Sequence, residues 1–371
     1  MLTSQAMRKP SLAIWGITLL SLFLWGCQTK QDNSGTPEEA QYFRLVDTLG
    51  ITVAEVYDPF QKGVLQARYY LVHSKDDAPE DAAPHHVVQI PLRRVATTSA
   101  THIGFLNELD ALSAVVAMSN PEWIYNQPTQ AVANIGEDIN LNMEALLLAQ
   151  PEAVFVSSYG QNSQQIERIT QAGIPVVYLS EWMEQHPLAR AQWLQFVAAF
   201  FDKRAMADSI FEDVQQAYDH IRSFTPNRQR SIMSGASYRG TWYVPSGTTY
   251  MGCLLRDAGA AYAFAQEITE GSIPLSMEQA LQAFSDADVW IGANARSLSE
   301  LQQIDEKHRW FKAFRTGEVF HFYRQQNTEG GNDFWERGVV HPETVLQDIQ
   351  WALYPEAFPT YHPTFIGKLA P

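Results

Sequence analysis

The side chains with the most chemical potential in this 371-residue chain are aromatic rings and guanidinium groups that recur just after short β-branched runs. One set comprises Thr98, Ser99, His102, Trp123, Tyr125, Tyr159, Glu181 and Trp182. A second comprises Tyr238, Arg239, Trp242, Tyr243, Asn294, Arg296, Tyr323 and Arg324, and continues into the segment GGNDFWERG with Asn332, Asp333, Trp335 and Glu336. Tyrosine and tryptophan supply rigid contact area with a polar tip, while arginine recognises carboxylates and other oxyanions. Together they suit a large ligand, partly aromatic and partly anionic, better than a sugar or an amino acid.

Catalytic patterns are missing. The chain has no glycine loop followed by Lys-Ser/Thr, no HExxH, no CxxC and no GxSxG elbow. Asp286 with Asp288, or Asp333 with Glu336, could pair as acid and base, but nothing in their sequence surroundings suggests shifted acidity, and they read as solvated, capping or hydrogen-bonding groups. His102 falls in the first turn of a helix with no second ligand at metal spacing, so it reads as a structural contact and no metal site is expected. No cofactor is implied.

The elements that would carry these residues follow from periodicity. Strands are expected at 94–98, 114–118, 153–157 and 175–179, alternating with helices at 99–109, 142–149 and 163–172. After residue 228 the order recurs: strands at 230–234, 288–292 and 318–322, helices at 250–258, 276–284 and 299–313, and a loop at 238–247. Strands alternating with short helices imply a parallel sheet covered on both faces. Two cassettes repeat, MEALLLAQPEAVFVSS from Met143 and MEQALQAFSDADVWIGA from Met277. The reading is an α/β chain of two lobes of like design, each a mainly parallel sheet flanked by helices. In open parallel sheets ligands sit outside the carboxyl ends of the strands, which is where the aromatic loops fall.

Between the lobes, residues 187–224 have helical grammar throughout. Leu194, Val197, Ala198, Phe201 and Ala205 form one apolar stripe, and Met206, Ile210, Val214, Ala217, Ile221 and Phe224 continue it. Asp202 is an N-cap candidate, so this is either one bent helix or two consecutive ones, roughly 55 Å long if straight.

The ends of the chain carry other signals. Arg8 and Lys9 precede an apolar run from Leu12 to Trp25 that is short for a membrane span, and Leu24-Trp25-Gly26-Cys27 has the form of a bacterial lipobox, with Trp25 in place of the usual small residue. Residues 1–27 thus read as a signal peptide ending in a lipidated Cys27, and 28–41 as a flexible tether. Segment 42–91 alternates in short apolar runs and reads as a β-rich extension, made of hairpins packed on the first lobe. The lobes span 92–186 and 228–355, with 356–371 as a tail. A formal charge of −15 without a basic stripe excludes a nucleic-acid ligand.

Four stretches carry a resemblance: RRVATTSATHIGFLNELDALSAVVAMS from Arg93, EQHPLARAQW from Glu184, TWYVPSGTTYMGCLLRDAGA from Thr241, and NDFWERGVVHPETVLQDI from Asn332. In this order they resemble the substrate-binding proteins of ABC importers for ferric siderophores, haem and cobalamin, in which a long helix joins the lobes. The second stretch is similar to the family's Glu-x-x-Pro-Leu-Gly-Arg-Ala-Glu-Trp, with Ala189 and Gln192 as departures. The resemblance implies a non-catalytic receptor, lipid-anchored outside the inner membrane. It would close little on a metal-containing organic complex and deliver it to a permease, docking through an acidic side chain on each lobe. By position these are Glu184 or Glu167 in the first lobe and Glu300 in the second. The expected ligand-binding set is Tyr125, Tyr159, Trp182, Tyr238, Arg239, Trp242, Arg324 and Trp335. A ferric siderophore, cobalamin or haem would all suit it. An exported two-lobed enzyme or chelatase, or a surface adhesion module, are the readings of other classes.

Overall fold

Two five-stranded sheets organise the computed structural model, which describes residues 36–48, 50–138, 140–157 and 164–371. The first runs, edge to edge, Val176–Leu179, Ala153–Ser157, Val95–Thr97, Val115–Met118 and Ala133–Asn134, all parallel. The second contains Val319–His321, Val289–Ile291, Ser231–Ser234 and Ala261–Tyr262 in the corresponding parallel order, plus Gly367–Lys368, antiparallel, at the outer edge. The same spatial order of corresponding strands in both lobes is what a repeated α/β unit requires. Central strands such as Val289–Ile291 are buried along their whole length, which is why they read as unbroken apolar runs. The cassette helices also start alike: the Asn142 side chain accepts from Ala145 N, and Ser276 forms a capping box with Gln279.

The N-terminal extension is a four-stranded sheet of Phe43–Thr48, Ile51–Tyr57, Leu65–Val72 and Val87–Gln89, with the last pair parallel. Ala54, Val56 and Leu71 join the first lobe's core. The Tyr69 hydroxyl stitches the two sheets, donating to Val176 O at 2.9 Å and accepting from Tyr178 N at 3.1 Å.

The connection between the lobes is not one rod. Helices Pro187–Ala191 and Trp193–Ala199 are followed by a break, and only Arg204–Arg222, roughly 28 Å long, is a long helix. Asp202 adopts a left-handed φ of 56° and turns the chain, so it caps nothing; Lys203 occupies the N-cap position. The break arises because Phe196, Phe200 and Phe201 are all drawn into the first lobe's core, where Phe155 meets Phe200 and Phe201 edge-on. The chain then doubles back. Ala207 packs in the first core, Val214 and Tyr218 in the second, and Ile210 against both.

Other expectations change at the local level. The 238–247 segment is not a loop: strands Ala236–Tyr238 and Thr241–Pro245 form a hairpin turning at Arg239 and Gly240, both of positive φ, and the second strand pairs with Ser272–Leu275. The 299–313 helix is divided into Leu298–Ile304, a 3₁₀ turn Glu306–Trp310 and Lys312–Thr316, because extended Asp305 caps the turn by accepting from Lys307 N. The 356–371 tail is folded into the second lobe. Asp348 receives Tyr361 OH, Thr364 N, Phe365 N and Ile366 N, burying Phe365 and Ile366.

Strand alternation on Thr241–Pro245 decides the fate of two neighbouring rings. Trp242 and Val244 point inward, while Tyr243 is 42% exposed. Replacing Trp242 with Ala should cost about 3–5 kcal/mol in chemical denaturation, whereas Tyr243→Ala should change stability by no more than about 0.5 kcal/mol. Equal losses would contradict this placement.

Candidate functional site

The loop after the second strand of lobe one (residues 119–132) meets the 324–337 segment of lobe two. Glu336 is fully buried there and faces three lobe-one donors: Tyr125 N at 2.5 Å, Asn126 N at 2.8 Å and Asn126 Nδ2 at 2.8 Å. Buried Asp333 accepts from Asn126 Nδ2 at 2.7 Å and from its own lobe's Arg337 Nε at 2.7 Å. Tyr125 OH donates to Gln325 Oε1 at 2.7 Å, and Asn327 Nδ2 to Ile124 O at 2.9 Å. Burial pushes the Glu336 carboxyl upward, offset by the donors of Tyr125 and Asn126, while neighbouring Asp333 adds to the rise.

Close approach of the lobes is built into two glycines. A Cβ on Gly104 would lie 2.2 Å from Glu336 O, and one on Gly331 would lie 2.6 Å from Ile124 C. A second junction lies at His341, 3.2 Å from Glu108 of lobe one and 2.9 Å from Glu343. Burial alone would lower the His341 pKa, yet the two carboxylates raise it to about 9. His341 in turn holds Glu108 below its ordinary value. This clasp is therefore at full strength at neutral pH, lost as pH rises through about 9 and weakened as pH falls through the carboxylate range.

Beside the clamp lies a cavity of about 360 Å³ lined by Ala100 and Trp123 of lobe one and by Glu329, Gly330, Asn332 and Trp335 of lobe two. Trp123 is 57% and Trp335 59% exposed. Their rings are open but their backbones are held. Trp335 closes the turn Asp333–Trp335, whose Phe334 is buried and stacks on Phe322 at 4.3 Å. Trp123 closes the turn Pro121–Trp123, entered through left-handed Asn120. Two aromatic anchors on fixed backbone, one from each lobe, make a preorganised surface for a flat or apolar group.

The expected site residues divide by location. Trp335 lines the cavity. Tyr125 lies beside it with its hydroxyl spent on Gln325, which makes it a bridge between lobes. Trp182 is half-buried on the turn Glu181–Met183 that follows the last strand of lobe one. Tyr238 and Arg239 are exposed at the hairpin turn, with the guanidinium 5.1 Å from the Tyr238 ring centre, and Arg324 is exposed on the strand-end segment of lobe two. Tyr159 and Cys27 lie outside the described residues. Trp242 does not belong to a cleft: it is 1% exposed, packs on Trp290 at 5.2 Å and Phe311 at 5.3 Å, and donates to Ser234 O. Trp123, outside the expected set, takes its place among the exposed rings. Its signal was the polar Asn120-Pro121-Glu122 run that puts it on a turn.

Glu184 also departs from expectation, since it is 2% exposed and cannot meet a partner protein. Its Oε1 accepts from Gln41 N, Tyr42 N and Trp193 Nε1, while Arg190 Nη2 donates to Trp182 O and Glu184 O. The EQHPLARAQW stretch is thus a structural tie: its acid, arginine and tryptophan bind the start of the linking helices to the extension and to the last loop of lobe one. Glu300 and Glu167 are exposed, on the corresponding helices Leu298–Ile304 and Gln164–Gln171 of the two lobes.

Two outcomes follow. Asn126→Ala strips donors from both buried carboxylates and should cost about 2–4 kcal/mol in denaturant unfolding; a change under about 0.5 kcal/mol would show that the clamp carries no energy. Burial raises the Glu184 pKa to about 7, partly offset by Trp193 and the backbone donors. A raised acid contributes stability at low pH that disappears as pH rises through 7, so Glu184→Gln should be more stable than wild type at pH 8 by roughly 1–3 kcal/mol and little changed at pH 4. Thermal melts at the two pH values check this.

The profile of the family described as "Periplasmic binding protein" matches residues 95–325. An uncharacterized lipoprotein of Methanocaldococcus jannaschii is 24% identical over 311 residues, covering 78% of this chain and 73% of the relative. Among solved structures, a periplasmic heme-binding protein from Roseiflexus sp. RS-1 in apo form aligns with a TM-score of 0.57 at 19% identity, over 71% of this chain and 99% of that one. The periplasmic vitamin B12 binding protein of Vibrio cholerae gives 0.53 at 13% identity, over 72% and 98%. The siderophore-binding protein of the same organism, with Fe3+-Desferal bound, gives 0.50 at 16%, over 68% and 97%. With a matched segment that takes up more than half of the chain and reaches from the first lobe into the second, and with two corresponding sheets bridged by a helix, the chain belongs to the periplasmic binding protein family.

Proposed function

We propose that this protein is the substrate-binding receptor of an ABC importer, taking an iron-siderophore-type metal complex into the inter-lobe cavity and delivering it to a permease. Cobalamin or haem is the alternative cargo. The observation that carries this reading is the cavity itself, where Trp123 and Trp335 face solvent from opposite lobes on backbone that is already fixed. Exposed Arg239 and Arg324 of lobe two are the cations we assign to ligand carboxylates or phosphate. The non-catalytic reading is supported by where the paired acids are spent: Asp333 and Glu336 are committed to inter-lobe hydrogen bonds and are closed to solvent.

Tethering through a lipidated Cys27 accords with the lipoprotein relative, and no helix among the described residues is long and apolar enough to cross a membrane. For docking, Glu167 and Glu300 are the pair we favour, because they are exposed and sit on helices that follow corresponding strands of the two lobes.

The test is tryptophan fluorescence of the soluble domain titrated separately with ferrioxamine B, cyanocobalamin and hemin. One of the three should give a saturable change without turnover, and Trp335→Ala should weaken that binding at least tenfold. A flat response to all three by the wild-type protein would overturn the receptor reading.

A further inference from the structure

The N-terminal sheet ends, on the side of the last loop of lobe one, in a turn of unusual character. Between strands Ile51–Tyr57 and Leu65–Val72 the chain presents Phe60 at 52%, Val64 at 46% and Leu65 at 40% exposure, an apolar group at the tip of one hairpin. A free turn would be expected to carry polar residues.

The turn is also stiff. Asp58 accepts from Phe60 N at 2.8 Å through Oδ1 and from Gln61 Nε2 at 2.8 Å through Oδ2, while Asp58 N donates to Val64 O at 2.8 Å and Val64 N to Gln61 O at 3.0 Å. The Phe60 ring meets Trp182 at a centroid distance of 6.4 Å, tilted by 54°.

Trp182 lies on the same edge of the first sheet as the lobe-one side of the cavity. Its neighbour Glu181 accepts from Thr101 Oγ1 at 2.6 Å, and Thr101 follows Ala100, which lines the cavity with Trp123 and Trp335. Both lie at the carboxyl end of the first sheet, where the strands Val95–Thr97 and Val176–Leu179 finish.

From this shared placement we propose that the N-terminal extension is part of the binding site: Phe60, held by the Asp58-capped turn and paired with Trp182, forms a second aromatic wall that contacts an apolar or ring-bearing portion of the ligand extending beyond the two tryptophans. The proposal rests on the receptor reading. It gives the extension a direct share in ligand binding, through the apolar contact that Phe60 and Trp182 offer together. The energetic reason for the stiff turn is preorganisation, because an aromatic anchor already fixed loses little freedom on binding.

The experiment uses the full soluble domain and whichever of ferrioxamine B, cyanocobalamin and hemin binds the wild-type protein. Phe60→Ala should weaken binding by about tenfold, and Asp58→Ala, which frees the turn without removing the ring, by a smaller factor. A Phe60→Ala melting temperature within 2 °C or so of wild type, as expected for an exposed position, shows that the fold is intact. Unchanged affinity in Phe60→Ala, with Trp335→Ala still impaired, would overturn the role of the extension and leave the receptor reading standing. Binding of none of the three probes by the wild-type protein would overturn both.

Discussion

Two carboxylates without access to water, Glu336 and Asp333, govern how the halves of this protein meet. Taking ionisable groups out of water is costly unless donors replace the lost hydration. Here the donors for Glu336 come from across the gap, from the backbone and side chain of residues 125 and 126. Separating the lobes at this point would break four hydrogen bonds to those carboxylates at once, which favours keeping this end of the cleft closed. Gly104 and Gly331 belong to the same arrangement, because any side chain there would hold the two backbones apart.

A second constraint acts from the linking segment. The helix Arg204–Arg222 has one end in each core, and its predecessor Trp193–Ala199 is sunk into the first lobe beside the extension's Phe43. A hinge of this kind offers few torsions that can change without unpacking a core, unlike a pair of extended strands. Clamp and helix together tie the two lobes to each other at two places, as the proposed receptor with little closure would require. The exposed tryptophans fit that arrangement, since their turns are pinned while their rings remain free.

The extension is more than an appendage. It shares the core of lobe one, bonds to the edge strand through Tyr69, and supplies the backbone amide of Tyr42 to the buried Glu184, while Ala40 and Gln41, expected in a flexible tether, are held too, by Gln192 and Glu184. A segment tied in at so many points has a fixed position on the lobe, which the role proposed for its hairpin tip requires.

The sequence by itself determined the α/β class, the repeated order of strands and helices, the helix starts at Ser99, Asn142 and Ser276, and the presence of a helical link. Each rests on local periodicity or on a cap within a few residues. What only the tertiary structure decided were facts of direction and distance. Trp242 and Tyr243 are adjacent and equally aromatic, and which one faces the core depends on the strand that pairs with them. Glu184 resembles any surface acid until Trp193 and the extension close over it. Asp202 turns the chain because three phenylalanines are drawn into one core, a demand made by residues far away in sequence such as Phe155. Asp333 and Glu336 read as ordinary loop acids, and they became the clamp only because a loop some two hundred residues earlier brings them donors.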